Sequence, residues 1–202
     1  ELTIMPGHGS VRTANNFAKV QASPSDLAKT TVFSWIEFDG LMFTQQNPIA
    51  GIESLAIDLK NRNEGQQVNA IIFNHWRTAE NRTAAKYAAL TSLLGPIKTD
   101  DFYTSYAKRL GIADTKAFAA NMKKLEEIDQ LSTNDLPNVG FCWIGAWLQG
   151  APYTWMNRTM LQKVNNMYDS VGASLEEIKK SVTNPAGQSY LDFLCNRIGT
   201  SS

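Results

Sequence analysis

The sequence predicts an α/β fold, in which the closing strands and helices of a (β/α)8 barrel are followed by an all-helical region. Segments typical of strands and helices alternate as far as about Leu94, and only helical patterns follow. Polar residues collect where each predicted strand ends. Because parallel α/β proteins build their sites at the carboxyl ends of their strands, this pattern places a functional site at that edge of the sheet.

Three segments of the first part are predicted to be strands. The first is Leu2–Met5, which ends at Pro6-Gly7. The second, Thr31–Phe38, and the third, Val68–Phe73, are rich in β-branched, aromatic and other apolar residues. These two are nearly continuous apolar runs, which is typical of strands buried on both faces of a parallel sheet.

Helices are predicted between and after these strands. Pro24 followed by Ser25-Asp26 indicates the start of a short helix. Gly51–Asn63 has apolar residues at spacings of three and four, and Thr78–Leu94 has a similar pattern after the third strand. Strands separated by helices indicate parallel pairing through right-handed crossovers, which cover the faces of the sheet.

Three parallel strands leave open edges, so we expect residues 1–94 to be the C-terminal portion of a barrel. A second polypeptide or an upstream segment is then expected to supply the missing strands. A compact α+β domain that stands alone is the alternative. Residues 95–202 are predicted to form a helical C-terminal domain, with helix starts at Asp100, Asp114 and Ser174.

Composition narrows the expected partners. Basic and acidic residues both number 19, the formal net charge is zero, and no cluster of Lys and Arg is present. Nucleic acid and anionic membrane surfaces are therefore not expected as partners. The two cysteines, Cys142 and Cys195, lie in apolar sequence surroundings without the spacing of metal ligands, so we expect buried structural thiols. No metal or cofactor is expected.

The end of the second strand holds the candidate catalytic residues. Since side chains alternate along a strand, Trp35, Glu37 and Asp39 share one face. A pair of carboxylates beside an indole suits glycoside hydrolysis, which needs one acid, one base or nucleophile, and a plane for the sugar ring. We therefore predict Glu37 and Asp39 as catalytic residues. In the structural alternative, Glu37 forms an ion pair with Arg77 and Asp39 caps the turn at Gly40.

The residues after the third strand form a second polar cluster, which we predict to bind substrate. The cluster contains four consecutive residues whose side chains can hydrogen-bond or stack, which is more than a turn requires: Asn74, His75, Trp76 and Arg77. Arg77 could bind a carboxylate or sulfate of a ligand, or hold Glu37 or Glu80 in place. The alternative for His75 is a structural histidine, and the alternative for Trp76 is a position in the core. The predicted substrate-binding residues, which include one after the first strand, are His8, Trp35, Asn74, His75, Trp76, Arg77 and Glu80.

Four segments carry a resemblance to a known group of enzymes: VFSWIEFDG, NAIIFNHWR, TAENRTAAKYAAL and FYTSYAKRLGI. Over about residues 1–112, the chain resembles the last strands and the helical extension of bacterial polysaccharide-degrading glycoside hydrolases, the group that includes α-glucuronidases and hexosaminidase-like enzymes. The resemblance implies cleavage of a polysaccharide or oligosaccharide, in the periplasm or outside the cell. It places Trp35, Trp76 and Arg77 in the substrate groove, with Glu37 as the acidic participant.

The sequence departs from that group because about half of a barrel is missing. In such enzymes the earlier strands commonly carry a catalytic carboxylate, so the partner of Glu37 is not assigned. Two other functions fit the sequence. One is a non-catalytic carbohydrate-binding protein, and the other is a helical protein-interaction protein that uses the aromatic segment Phe141–Trp155.

Overall fold

The computed structural model describes residues 2–4, 8–10, 23–27, 30–37, 52, 56, 70–74, 81–134 and 158–199. The chain divides into two compact units. The first unit contains the described residues up to Pro96, and the second contains those from Ile97 onward. A parallel sheet is the main element of the first unit, whereas the described elements of the second are helices.

The sheet of the first unit is organised around its longest strand, β3 (Thr30–Glu37). Three shorter strands, β1 (Leu2–Ile4), β2 (His8–Ser10) and β4 (Ala70–Asn74), each pair with β3 in the parallel direction. β2 and β4 both pair with residues Trp35–Glu37 of β3, so they lie along its two edges. The parallel direction places the carboxyl ends of β2, β3 and β4 at one edge of the sheet.

The predicted fold class is wrong. In a (β/α)8 barrel each strand pairs with its neighbours in the sequence, and a helix connects them. Here β1 and β2 pair with successive segments of β3, Thr30–Val32 and Trp35–Glu37, so they are not two adjacent barrel strands joined by a helix. Over the two longest described stretches, residues 81–134 and 158–199, the structure is helical and contains no closing strands of a barrel. The apolar runs predicted strands, but such runs carry no information on how many strands a sheet contains.

Two helices of the first unit are described. The short α1 (Pro24–Leu27) begins after Ser23, whose Oγ accepts a hydrogen bond of 3.2 Å from the backbone N–H of Asp26. The longer α2 (Arg82–Leu94) buries a face that includes Ala84, Tyr87 and Ala88. Of the predicted helix over residues 51–63, the described positions 52 and 56 are both helical.

Four helices are described in the second unit: α3 (Thr99–Arg109), α4 (Thr115–Asn134), α5 (Arg158–Lys180) and α6 (Pro185–Gly199). Each of them packs against the next one along the chain. The ring of Tyr190 on α6 meets Tyr106 of α3 edge-on, with ring centroids 5.5 Å apart, and lies 6.4 Å from the ring of Phe118 on α4. Buried aromatic rings therefore join three of the four helices.

The predicted helix starts differ in outcome. Asp114 caps α4, because its Oδ1 accepts a hydrogen bond of 3.0 Å from the backbone N–H of Ala117. Asp100 lies in the first turn of α3 and forms an ion pair with Lys123 at 3.1 Å. The predicted start at Ser174 is wrong, because that residue lies inside the continuous helix α5.

Candidate functional site

The strand register brings four of the predicted site residues to neighbouring positions at the carboxyl edge of the sheet. Glu37, the last residue of β3, pairs with Ser10 of β2 on one side and with Asn74 of β4 on the other. Two residues earlier in β3, Trp35 pairs with His8. Neighbouring strands lie about 4.8 Å apart, so residues at one register position are close enough to contact one ligand.

The other predicted site residues lie outside the described residues. They include Asp39, the second predicted catalytic carboxylate, and four predicted substrate-binding residues: His75, Trp76, Arg77 and Glu80. Their proximity to Glu37 stays a prediction. Among the described residues of the four strands, Glu37 is the one carboxylic acid.

Ser10 was not among the predicted site residues, although it occupies the register position next to Glu37. A strand of three residues, His8–Ser10, is too short to show alternation of apolar and polar side chains, and it contains a glycine. The sequence pattern therefore indicated a polar loop here. Only pairing with β3 identifies this segment as part of the sheet.

The start of α2 contains two buried polar residues that the sequence analysis also missed. Asn81 and Thr83 are 2% and 0% exposed, and among the described residues Thr83 Oγ1 has no hydrogen-bond partner. α2 is the next helix after β4 in the described chain.

Cys195 is not a candidate nucleophile. It is half-buried on α6. Burial raises the pKa of its thiol most, a hydrogen bond to Glu176 raises it further, and the pKa reaches about 12. The thiol is therefore protonated at neutral pH. We expected a buried structural thiol, whereas Cys195 is half-buried, and Lys179 and Asp192 also affect its pKa. Cys142 lies outside the described residues.

Two other features are absent from the described residues: a metal-binding group of side chains and a membrane-spanning helix. No three of their His, Cys, Asp or Glu side chains are grouped in a way that could hold a metal ion. None of the described helices is both long enough and apolar enough to cross a membrane.

Comparison with known protein families finds no match, and comparisons with curated proteins and with solved structures find none either. The resemblance to polysaccharide-degrading glycoside hydrolases therefore depends on the quoted sequence segments alone. The chemistry of the strand ends is the basis for a proposal about function.

Proposed function

We propose that this chain belongs to a glycoside hydrolase that acts on a polysaccharide or oligosaccharide at the carboxyl edge of the parallel sheet. The observation that supports the proposal best is the register, in which Glu37 lies beside Ser10 and Asn74, and Trp35 lies beside His8. An acidic, an amide, a hydroxyl and an aromatic residue at adjoining register positions are residue types that glycosidic bond cleavage uses.

Each residue has a distinct role in this proposal. Glu37 donates a proton to the leaving glycosidic oxygen, and the ring of Trp35 provides an apolar surface for a sugar. Asn74 and Ser10 hydrogen-bond to sugar hydroxyls. These roles use the side-chain chemistry at adjoining register positions and require no barrel.

Hydrolysis requires a second carboxylate, as base or nucleophile. Asp39 is our candidate from within the chain. A second polypeptide or an upstream segment is the other proposed source, although completion of a barrel is no longer a reason to expect one. The separation of the two carboxyl groups determines the stereochemistry, at about 5 Å for retention and roughly 6.5–9.5 Å for inversion. A periplasmic or extracellular location stays a prediction from the resemblance.

A non-catalytic carbohydrate-binding protein is the second candidate function. The observation that favours it is the single carboxylic acid among the described strand residues, because one carboxylate is enough to hydrogen-bond a sugar. Both candidate functions predict that the tryptophan fluorescence of the chain changes when an oligosaccharide binds. Only the hydrolase releases new reducing ends.

The deciding experiment compares Glu37→Gln with Asp26→Asn in assays of oligosaccharide cleavage. Both changes replace a carboxylate by an amide, and Asp26 is an exposed residue of α1 in the same unit. We expect Glu37→Gln to lower turnover by at least roughly a hundredfold, with a change in stability within about 1 kcal/mol. We expect Asp26→Asn to leave turnover unchanged.

Three outcomes would decide against the proposal in different ways. Full activity of Glu37→Gln would remove Glu37 from the mechanism. Binding of oligosaccharides without any cleavage by the wild type would favour the non-catalytic candidate. Absence of both binding and cleavage across neutral, acidic and amino-sugar oligosaccharides would overturn both candidates.

A further inference from the structure

The second unit has a surface groove along the helix pair α4 and α5, with a volume of about 670 Å³. The two helices are antiparallel. Asn121 Nδ2 on α4 donates a hydrogen bond of 2.8 Å to Ser174 Oγ on α5, and Lys124 Nζ donates one of 3.4 Å to Ser170 Oγ, nearer the start of α5. The groove is therefore lined by residues of two helices in direct contact.

The groove is positively charged. Lys124, Arg158 and Lys163 are among the residues that line it, and no acidic residue is. Within the described part of the chain, Arg158 and Lys163 have no carboxylate partner. Three other lysines of the same unit do have one, in the ion pairs Lys123–Asp100, Lys179–Asp192 and Lys180–Glu177. Positive charges without carboxylate partners that line one shallow surface groove favour an anionic ligand.

The position of Arg158 adds to this field. It is the first residue of α5, where the helix dipole carries its positive end. Arg158 and Ser170 both line the groove, and the helix rises by about 18 Å between them. A groove of this length fits several units of a chain-like ligand better than one small anion.

The other lining residues indicate what kind of anion fits. Gln162 Nε2 donates a hydrogen bond of 3.0 Å to Asn166 Oδ1, and both amides are exposed to a ligand on the same face of α5. Amides and hydroxyls suit the hydroxyl groups of sugars, and the half-buried Met167 offers an apolar contact for their C–H surfaces. None of the lining residues is aromatic, which disfavours stacking of nucleic-acid bases.

We infer that this groove binds an acidic carbohydrate chain, with carboxylate or sulfate groups held by Arg158, Lys163 and Lys124. Guanidinium and ammonium groups form charge-assisted hydrogen bonds with such anions. The inference goes beyond the proposed hydrolase function and does not depend on it, because the groove and Glu37 belong to different units. The Glu37→Gln experiment can fail without affecting this one.

The test measures binding of the whole chain to matched pairs of ligands by isothermal titration calorimetry. Oligogalacturonate is compared with its methyl ester, and dextran sulfate with dextran, so that carboxylate and sulfate are tested separately. We expect binding of at least one acidic member, no binding of its neutral partner, and weaker binding as salt concentration rises.

The variant is the double substitution Arg158→Gln with Lys163→Gln, and the control is Lys108→Gln with Lys116→Gln. All four residues are exposed, and the control removes similar positive charge from α3 and α4 outside the groove. We expect the groove variant to lose about tenfold or more in affinity, since charge-assisted hydrogen bonds are lost. The control should change affinity by no more than about twofold.

Equal losses in both variants would show that only net charge matters and would overturn the groove assignment. Failure to bind either acidic ligand would overturn the inference outright. Equally tight binding of single-stranded poly-dT, lost in the same groove variant, would replace an acidic carbohydrate by nucleic acid as the ligand.

Discussion

Tyr103 donates a hydrogen bond to Oε1 of Glu126 in the interior of the second unit. The two residues lie on α3 and α4 and are 0% and 2% exposed. A buried carboxyl group needs hydrogen-bond donors, because it has lost its contact with water. The Tyr103 hydroxyl therefore helps to make the burial of Glu126 tolerable and joins two neighbouring helices.

Tyr103→Phe removes this donor with little change in volume, so we expect it to lower the free energy of unfolding by about 1–3 kcal/mol. Urea denaturation followed by circular dichroism measures the effect. In a Glu126→Met background the same tyrosine substitution should cost less, because the acceptor is already gone. An identical cost in both backgrounds would show that this hydrogen bond does not contribute to stability.

Asn121 provides a second polar link, between α4 and α5. Its side chain is 7% exposed and donates to Ala117 O at 3.0 Å and to Ser174 Oγ at 2.8 Å. Asn121→Ala should lower the free energy of unfolding by about 1 kcal/mol or more. Ser170→Ala is a control on an exposed residue with a long hydrogen bond, and it should change stability by less than about 0.5 kcal/mol. Equal effects would contradict this prediction.

Two helical glycines should respond to alanine in opposite directions. A Cβ on Gly187 would lie 2.1 Å from Leu110 O and 2.8 Å from Val182 Cγ1, so Gly187→Ala forces the backbone apart. We expect a loss of about 1–3 kcal/mol or more. A Cβ on Gly172 would meet Ile198 Cγ2 at 3.4 Å, an ordinary contact.

Gly172→Ala should therefore raise stability by up to about 1 kcal/mol, because alanine has the higher helix propensity. Thermal unfolding of the two variants beside the wild type makes the comparison. An unchanged melting temperature of the Gly187→Ala protein would contradict the close packing of α6 against the backbone of Leu110.

Alkaline pH should destabilise the second unit through Cys195. Burial, with a hydrogen bond to Glu176, raises the pKa of this thiol from 9.0 to about 12. Because the folded state favours the protonated thiol, this contribution to stability is fully present below about pH 9 and is lost as the pH rises towards 12. Cys195→Ala should therefore show a smaller loss of stability over this range.

Lys179 should leave part of the alkaline effect in place. Its hydrogen bond with Asp192 raises its pKa above 10.5, so its contribution to stability is also lost as pH rises.

The rate at which Cys195 reacts with Ellman's reagent offers a second measurement of its raised pKa. In a Cys142→Ala background, the remaining thiol should react slowly at pH 8, and Glu176→Gln should speed the reaction. A fast reaction of Cys195 without that substitution would contradict the raised pKa.

Local features were predictable where neighbouring residues in the sequence decide them. β-branched and aromatic residues predicted a strand at 31–38, and β3 spans Thr30–Glu37. Asp114 acts as a helix cap because its carboxylate reaches the backbone three residues ahead. At Ser174 the same kind of argument failed. Val171, Leu175 and Ile178 form a buried stripe through this position, and their burial outweighs the capping tendency of one serine.

The sequence by itself determined where polar and apolar residues fall along each strand and helix, because periodicity and capping depend on residues a few positions apart. Only the tertiary structure decided which strands pair, and therefore that Glu37 lies beside Asn74 and Ser10. It also decided that α4 and α5 pack antiparallel, which brings Lys124 to the same groove as Arg158 and Lys163. Pairing and packing join residues far apart in the chain, and no local pattern specifies the partner.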